Sequence, residues 1–148
     1  MPVRTLPVDF LCGIPEGGDS PNVSDLSEYK DFFPGTQNIL YGLLKVEKNF
    51  VVTVYGMSGD DVYPTLFVYD TLGNRIDSLS LILSGCGGAD ETVIPVSTVS
   101  INQSLQILLT DTLHFIHYPE GQKNFVRDSV KVSFLRYHIN DVGRIVKD

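Results

Sequence analysis

The stretch "SGCGGADE", Ser84 to Glu91, sets one cysteine among glycines and follows it with an acidic pair. A cysteine nucleophile needs a nearby base and surroundings that lower its pKa, such as positive charge or a helix N-terminus. Asp90 and Glu91 supply the opposite charge, and nothing after Cys86 reads as a long helix. These neighbours argue against a reactive thiol. The other cysteine is Cys12, and no Cys-x-x-Cys occurs, which argues against a structural zinc site. Two readings of the pair stay open. A Cys12–Cys86 disulfide would close a long loop, with a stabilisation on the order of 4 kcal/mol in the chain-entropy view, and would require an oxidising compartment. Alternatively both are unpaired thiols packed as small apolar side chains.

Two acidic loops form the next candidate. "SGDDVYP" carries Asp60 and Asp61, and "CGGADE" carries Asp90 and Glu91. Calcium takes carboxylates and loop carbonyls, and glycine lets the chain bend around the ion, so these four residues are the candidate calcium ligands. Neither loop has the spaced D-x-D-x-D-G pattern, and acidic residues with glycine also make ordinary solvated turns. Apart from calcium, no cofactor is expected.

The histidines are His114, His117 and His138. "HFIH" has the look of a metal pair, but residues three apart on a strand point to opposite faces. No carboxylate lies close by in sequence to orient either ring. Ordinary surface histidines are the expectation. No G-x-S-x-G elbow, P-loop or G-x-G-x-x-G is present.

The elements that must carry these residues read as β-structure. Residues 1–36 hold most of the prolines and are expected to form an extended arm. Within it, "SDLSEYKDFFPG" suits one helical turn, with a cap at Ser24 or Asp25 and a stop at Pro34-Gly35. Residues 37–148 then read as one antiparallel β domain. "NFVVTVYG" (49–56) and "YPTLFVYD" (63–70) are β-branched and aromatic, as strands prefer. "TLGN" (71–74) is a turn with Gly73 supplying the unusual φ. In "YDTLGNRID", Tyr69 and Ile76 are expected to pair across it. "RIDSLSLILS" (75–84) alternates like a half-buried strand. Further strands are expected at 92–101, 104–110, 113–118, 128–139 and 144–147. Val130, Val132 and Phe134 share one side of their strand, whereas Leu135, Tyr137 and Ile139 share the other, so a β-bulge is expected near Phe134. Short strands with regular turn signals predict an all-β fold, an antiparallel β-sandwich or barrel-like domain.

Size and charge set the outer limits. The 148 residues suit one domain able to bury a substantial core. A net charge of −7 argues against nucleic acid and anionic lipid as partners. No run approaches the length of a membrane span. The opening "MPVRTLPVDF" lacks the order of a signal peptide, so the expected alternatives are a cytoplasmic protein or an exported one whose leader is absent from this sequence.

Three pieces taken together, "ILYGLLKVEKNFVVTVYG", "DDVYPTLFVYDTLGNRIDSLSLIL" and "SGCGGADE", resemble a group of β-rich cell-envelope proteins of Gram-negative gut-type bacteria, many of them lipoprotein candidates. The shared features sit at Tyr41-Gly42, Asp61 to Pro64, Tyr69 to Asp77 and Cys86 to Asp90, within residues 38–95. The last departs from the group's Cys-Gly-x-Asp loop by one added residue. The resemblance implies export to the periplasm or cell envelope and carries over no catalytic residue.

The leading expectation is a non-catalytic envelope or periplasmic domain that binds a protein or glycan partner through loops or a sheet edge. The alternative is a hydrolase with an acidic, calcium-dependent site in the 58–61 and 86–91 loops. A third is a structural subunit that adds a strand to a partner.

Overall fold

The computed structural model describes residues 4–11, 39–58, 62–84, 92–121 and 123–148. These form nine strands: β1 (Val8–Leu11), β2 (Ile39–Val46), β3 (Phe50–Ser58), β4 (Val62–Asp70), β5 (Arg75–Ser80), β6 (Val93–Ile101), β7 (Gln106–His117), β8 (Val126–Ile139) and β9 (Ile145–Lys147). Among the described residues there is no helix. Two antiparallel sheets pack together as a sandwich, and they do not close into a barrel. One sheet is the meander β2-β3-β4-β5, and the other is the meander β6-β7-β8-β9 with β1 added beside β6.

The core follows from alternation. Phe50, Val52 and Val54 of β3 and Leu66 and Val68 of β4 face Val99, Ile101, Ile107 and Leu109 of the opposite sheet. Period-two spacing puts such residues on one face of a pleated strand, and their removal from water supplies the main driving force for sheet packing. The other face of the four-stranded sheet is buried as well, with Thr53, Tyr55, Phe67 and Tyr69 all at 4% exposure or less. Tyr55 and Phe67 meet edge to face at 5.9 Å between ring centres.

Three hairpin turns share one design. Asp70, Asn102 and Asn140 each start a turn and accept the backbone N–H groups two and four residues on. The fourth residue of each turn has a positive φ: Gly73 at 87°, Leu105 at 58° and Gly143 at 80°. Asn and Asp do this well because a short side-chain acceptor stands in for a backbone turn.

Both lateral sides of the sandwich are tied. On one side the Arg4 backbone N–H donates to Leu43 O, and its guanidinium lies over the Tyr41 ring. On the other, Ile145 and Arg144 at the start of β9 reach Asp77 and Ile76 of β5.

Several expectations need correction. The strand expected over 75–84 ends at Ser80. The two short strands expected at 104–110 and 113–118 are one continuous strand, β7. Tyr69 pairs with Arg75, because an irregularity in the ladder leaves Ile76 out of register, and Ile76 packs on the core instead. No bulge occurs at Phe134: the ladder runs evenly through Thr110↔Phe134 and Leu109↔Leu135, and the irregularity lies instead between Ser129 and Arg127. Val8–Leu11, within the expected arm, is a strand of the five-stranded sheet, whereas the helical turn expected at 24–35 lies outside the described residues.

Candidate partner-binding edge

Strand β8 is fourteen residues long and lies between β7 and the much shorter β9. Pairing with β7 runs along its whole length, but β9 covers only Tyr137 to Ile139. Residues 126–135 therefore have no strand on their outer side among the described residues. The same stretch, from Val126 to Phe134, is exposed on both faces. It projects as an arm of the sheet with one open edge.

The direction of the open hydrogen-bonding groups can be read from its end. The Asp148 N–H donates to Arg136 O at 3.0 Å, and the Asn140 N–H donates to Arg144 O at 3.0 Å. Even-numbered residues thus turn their backbone groups away from β7. In an antiparallel strand this alternates, so Val130, Val132 and Phe134 present their N–H and C=O at the open edge. An unpaired edge of this kind is a ready template for another strand.

The side chains add an apolar surface. Val130, Val132 and Phe134 are 48%, 56% and 57% exposed. They share the outer face with His114, Thr112 and Thr110 of β7, their partners in the register. At the hairpin's far end Tyr118 and Phe125, both exposed, meet edge to face at 6.2 Å. Arg136 caps the apolar row from the other end, its guanidinium 5.1 Å from the Phe134 ring centre. What sequence pattern suggested to be a bulge is a straight strand with apolar residues on its solvent face.

The expected site residues fall elsewhere. Asp60, Asp61, Asp90 and Glu91, proposed for calcium, lie outside the described residues, as do Cys12 and Cys86. The histidines do not converge. His117 Nδ1 contacts Asp128 Oδ1 at 2.6 Å, and His138 Nδ1 contacts Asp148 Oδ1 at 2.5 Å. Both therefore have the orienting carboxylate that sequence proximity did not show, Asp128 coming from β8 and Asp148 following β9. Among the described residues no three His, Cys, Asp or Glu side chains are grouped to hold a metal ion.

Two further features were not foreseen. Asp111, in the middle of β7, is 4% exposed and accepts hydrogen bonds from Ser97 Oγ at 2.9 Å and from Ser84 Oγ. These two partners are hydroxyls, so the arrangement ties residue 84 to the five-stranded sheet and, among the described residues, makes no nucleophile–base pair. A half-open cleft of about 310 Å³ lies where the β2–β3 turn meets the β6–β7 and β8–β9 turns, lined by Lys45, Lys48, Phe50, Leu105 and Asp141 among others. The Lys45 ammonium there is already held by Glu47 Oε1 at 2.6 Å and by Gln103 O at 3.2 Å. A lone "TDT" inside an apolar run was the only sequence sign of the buried aspartate. The sequence did mark the last strand as much shorter than β8, but not which part of β8 it leaves uncovered.

Among the described residues no helix is long and apolar enough to cross a membrane. The chain matches no protein-family model, no curated protein and no solved structure.

Proposed function

We propose that this is a non-catalytic β-sandwich domain of the cell envelope that takes up an extended strand of a protein partner along the open edge of β8. The observation that carries this reading is the run from Val130 to Phe134, which combines half-exposed apolar side chains with outward backbone groups that no strand among the described residues pairs. Strand addition draws affinity from main-chain hydrogen bonds and selectivity from alternate side chains. The apolar outer face favours a partner strand with apolar residues at every second position. Placement in the envelope rests on the resemblance over residues 38–95. In an oxidising compartment Cys12 and Cys86 would be free to pair, and the mass of alkylated, unreduced protein tests that.

The test uses the full chain, exported, with a photo-crosslinking residue at Ser133 or, as a control, at Leu72 in the β4–β5 turn. Adducts are expected at 133 and not at 72. Val132→Pro should remove them, because that N–H faces the open edge and the β7 ladder does not use it. Adducts of equal yield at both positions, or adducts at 133 that survive Val132→Pro, would sink the reading.

A further inference from the structure

We infer that the strand received by this edge is β8 of a second copy, giving a two-fold dimer in which the two five-stranded sheets join edge to edge. The inference rests on the edge reading above and names its occupant. A two-fold interface brings one patch against itself, so the question is whether the β8 edge is self-complementary.

It is so in one register. Pairing two open edges antiparallel about Val132 sets Val132 against its own copy, Val130 against Phe134, and Lys131 against Ser133. The even-numbered residues carry the outward backbone groups in both copies, so Val132 would exchange both hydrogen bonds with its counterpart. Their side chains stand on the outer face, and pairing there would bring two half-exposed apolar rows side by side.

Charge supports the same register. Arg136 of each copy comes to the end where the other copy carries Asp128, whose Oδ1 also holds His117. Shifting the two-fold to residue 131 would set Lys131 directly against Lys131, and like charges opposite one another are destabilising. A shift to residue 133 would run the second strand further into the stretch of β8 that β9 already covers. Lys131 thus has two roles. It discourages indiscriminate pairing of an exposed edge, as lysines on edge strands do, and it selects the register centred on Val132.

The test is made on the purified full chain. Sedimentation equilibrium should show a monomer–dimer equilibrium, and Val132→Pro should raise its dissociation constant roughly tenfold or more. Cysteine substitutions then report the register. Val132→Cys should form a disulfide with itself under mild oxidation, because directly opposed Cα atoms in a hydrogen-bonded pair are about 5.5 Å apart. Val130→Cys should not link to itself but should link to Phe134→Cys when the two are mixed. Peptide mapping separates these bonds from any made by Cys12 or Cys86. A chain that stays monomeric at all concentrations, with no link at 132, would overturn the second copy as occupant. In that case Ser133 adducts to other proteins would keep the edge reading. A dimer unaffected by Val132→Pro, with no link at 132, would overturn the β8 dimer. Persistence of the Ser133 adducts under Val132→Pro, or equal adducts at Ser133 and Leu72, would overturn the edge reading with it.

Discussion

Asp77 Oδ2, at the edge of the four-stranded sheet, accepts the backbone N–H of Ile145 from the opposite sheet at 3.0 Å. One residue earlier, Arg144 donates to Ile76 O at 2.9 Å. These two bonds cross the gap between β5 and β9 and fix where β9 begins.

Asp77→Ala should destabilise the domain by about 1–3 kcal/mol, the usual range for losing a hydrogen bond to a charged group. Urea unfolding monitored by far-UV circular dichroism measures it. The structural counterpart is specific: amide exchange at His138, Asn140 and Asp148, which pair across the β8–β9 hairpin, should speed up more than in β3, because β9 loses its anchor. Uniform acceleration across both sheets would contradict the local role.

Gly143 and Gly121 make a matched pair. Both have a left-handed φ, 80° and 74°. A Cβ on Gly143 would lie 2.9 Å from Ile76 Cδ1, 3.1 Å from Val68 Cγ1 and 3.2 Å from Phe50 Cβ, whereas one on Gly121 would meet nothing within 4 Å. Gly121→Ala should cost about 1–2 kcal/mol for the backbone alone. Gly143→Ala should cost about 1–3 kcal/mol more, because the crowding falls on the packed sheet opposite. Equal losses would show that the inter-sheet contact yields freely.

Leu105 holds a φ of 58°, in the turn position that Gly73 and Gly143 fill elsewhere, and is 3% exposed. Its side chain is needed in the core, and its backbone would suit glycine. Both Leu105→Ala and Leu105→Gly remove the buried side chain, at about 2–5 kcal/mol for the alanine variant. Only glycine also relieves the left-handed backbone, by about 1 kcal/mol. The glycine variant should therefore be the more stable of the two, contrary to the usual order in regular structure. Denaturant midpoints of the two proteins decide it.

Alkaline pH should weaken the fold through its buried phenols. Burial raises the Tyr69 phenol from 10.0 to about 12, partly offset by Arg75, and burial with the charge of Tyr69 raises Tyr55 as well. A phenol that ionises later in the folded chain than in the unfolded one stabilises the fold fully below pH 10. That contribution is lost as pH rises from about 10 towards 12. The urea midpoint should fall across this window, and the fall should be shallower in Tyr69→Phe. Identical slopes would mean that Tyr69 ionises in the folded state at its ordinary value.

Much of the architecture was legible in the sequence. β3 and β6 stand out as β-branched runs, and β4 and the C-terminal pair also because they meet an Asp-x-x-Gly or Asn-x-x-Gly turn. The turn at Asn102 was harder to see, since Leu105 occupies the position where glycine would mark a break. The division of 104–118 into two strands failed because Asp111 and Thr112 look like a turn, whereas hydrogen bonds from Ser84 and Ser97 make a buried aspartate tolerable there. β8 misled for a physical reason. Alternation reports which face is apolar, and it assumes that the apolar face is the inner one. From Val130 to Phe134 the apolar face is the outer one, which is where the candidate site lies. The acidic loops and the two cysteines, the most conspicuous chemistry in the sequence, fall outside the described residues.

The order of strands has a consequence for how the chain is made. Eight of the nine strands sit beside a neighbour in sequence, so each can pair soon after it leaves the ribosome. β1 cannot. Its register joins Val8 to Ile101 and Phe10 to Val99, and those residues are translated only after the whole four-stranded sheet. Until then two core side chains wait without a partner, and the growing chain carries an apolar segment that a chaperone could hold. The five-stranded sheet is thus completed by a segment synthesised before the whole of the other sheet.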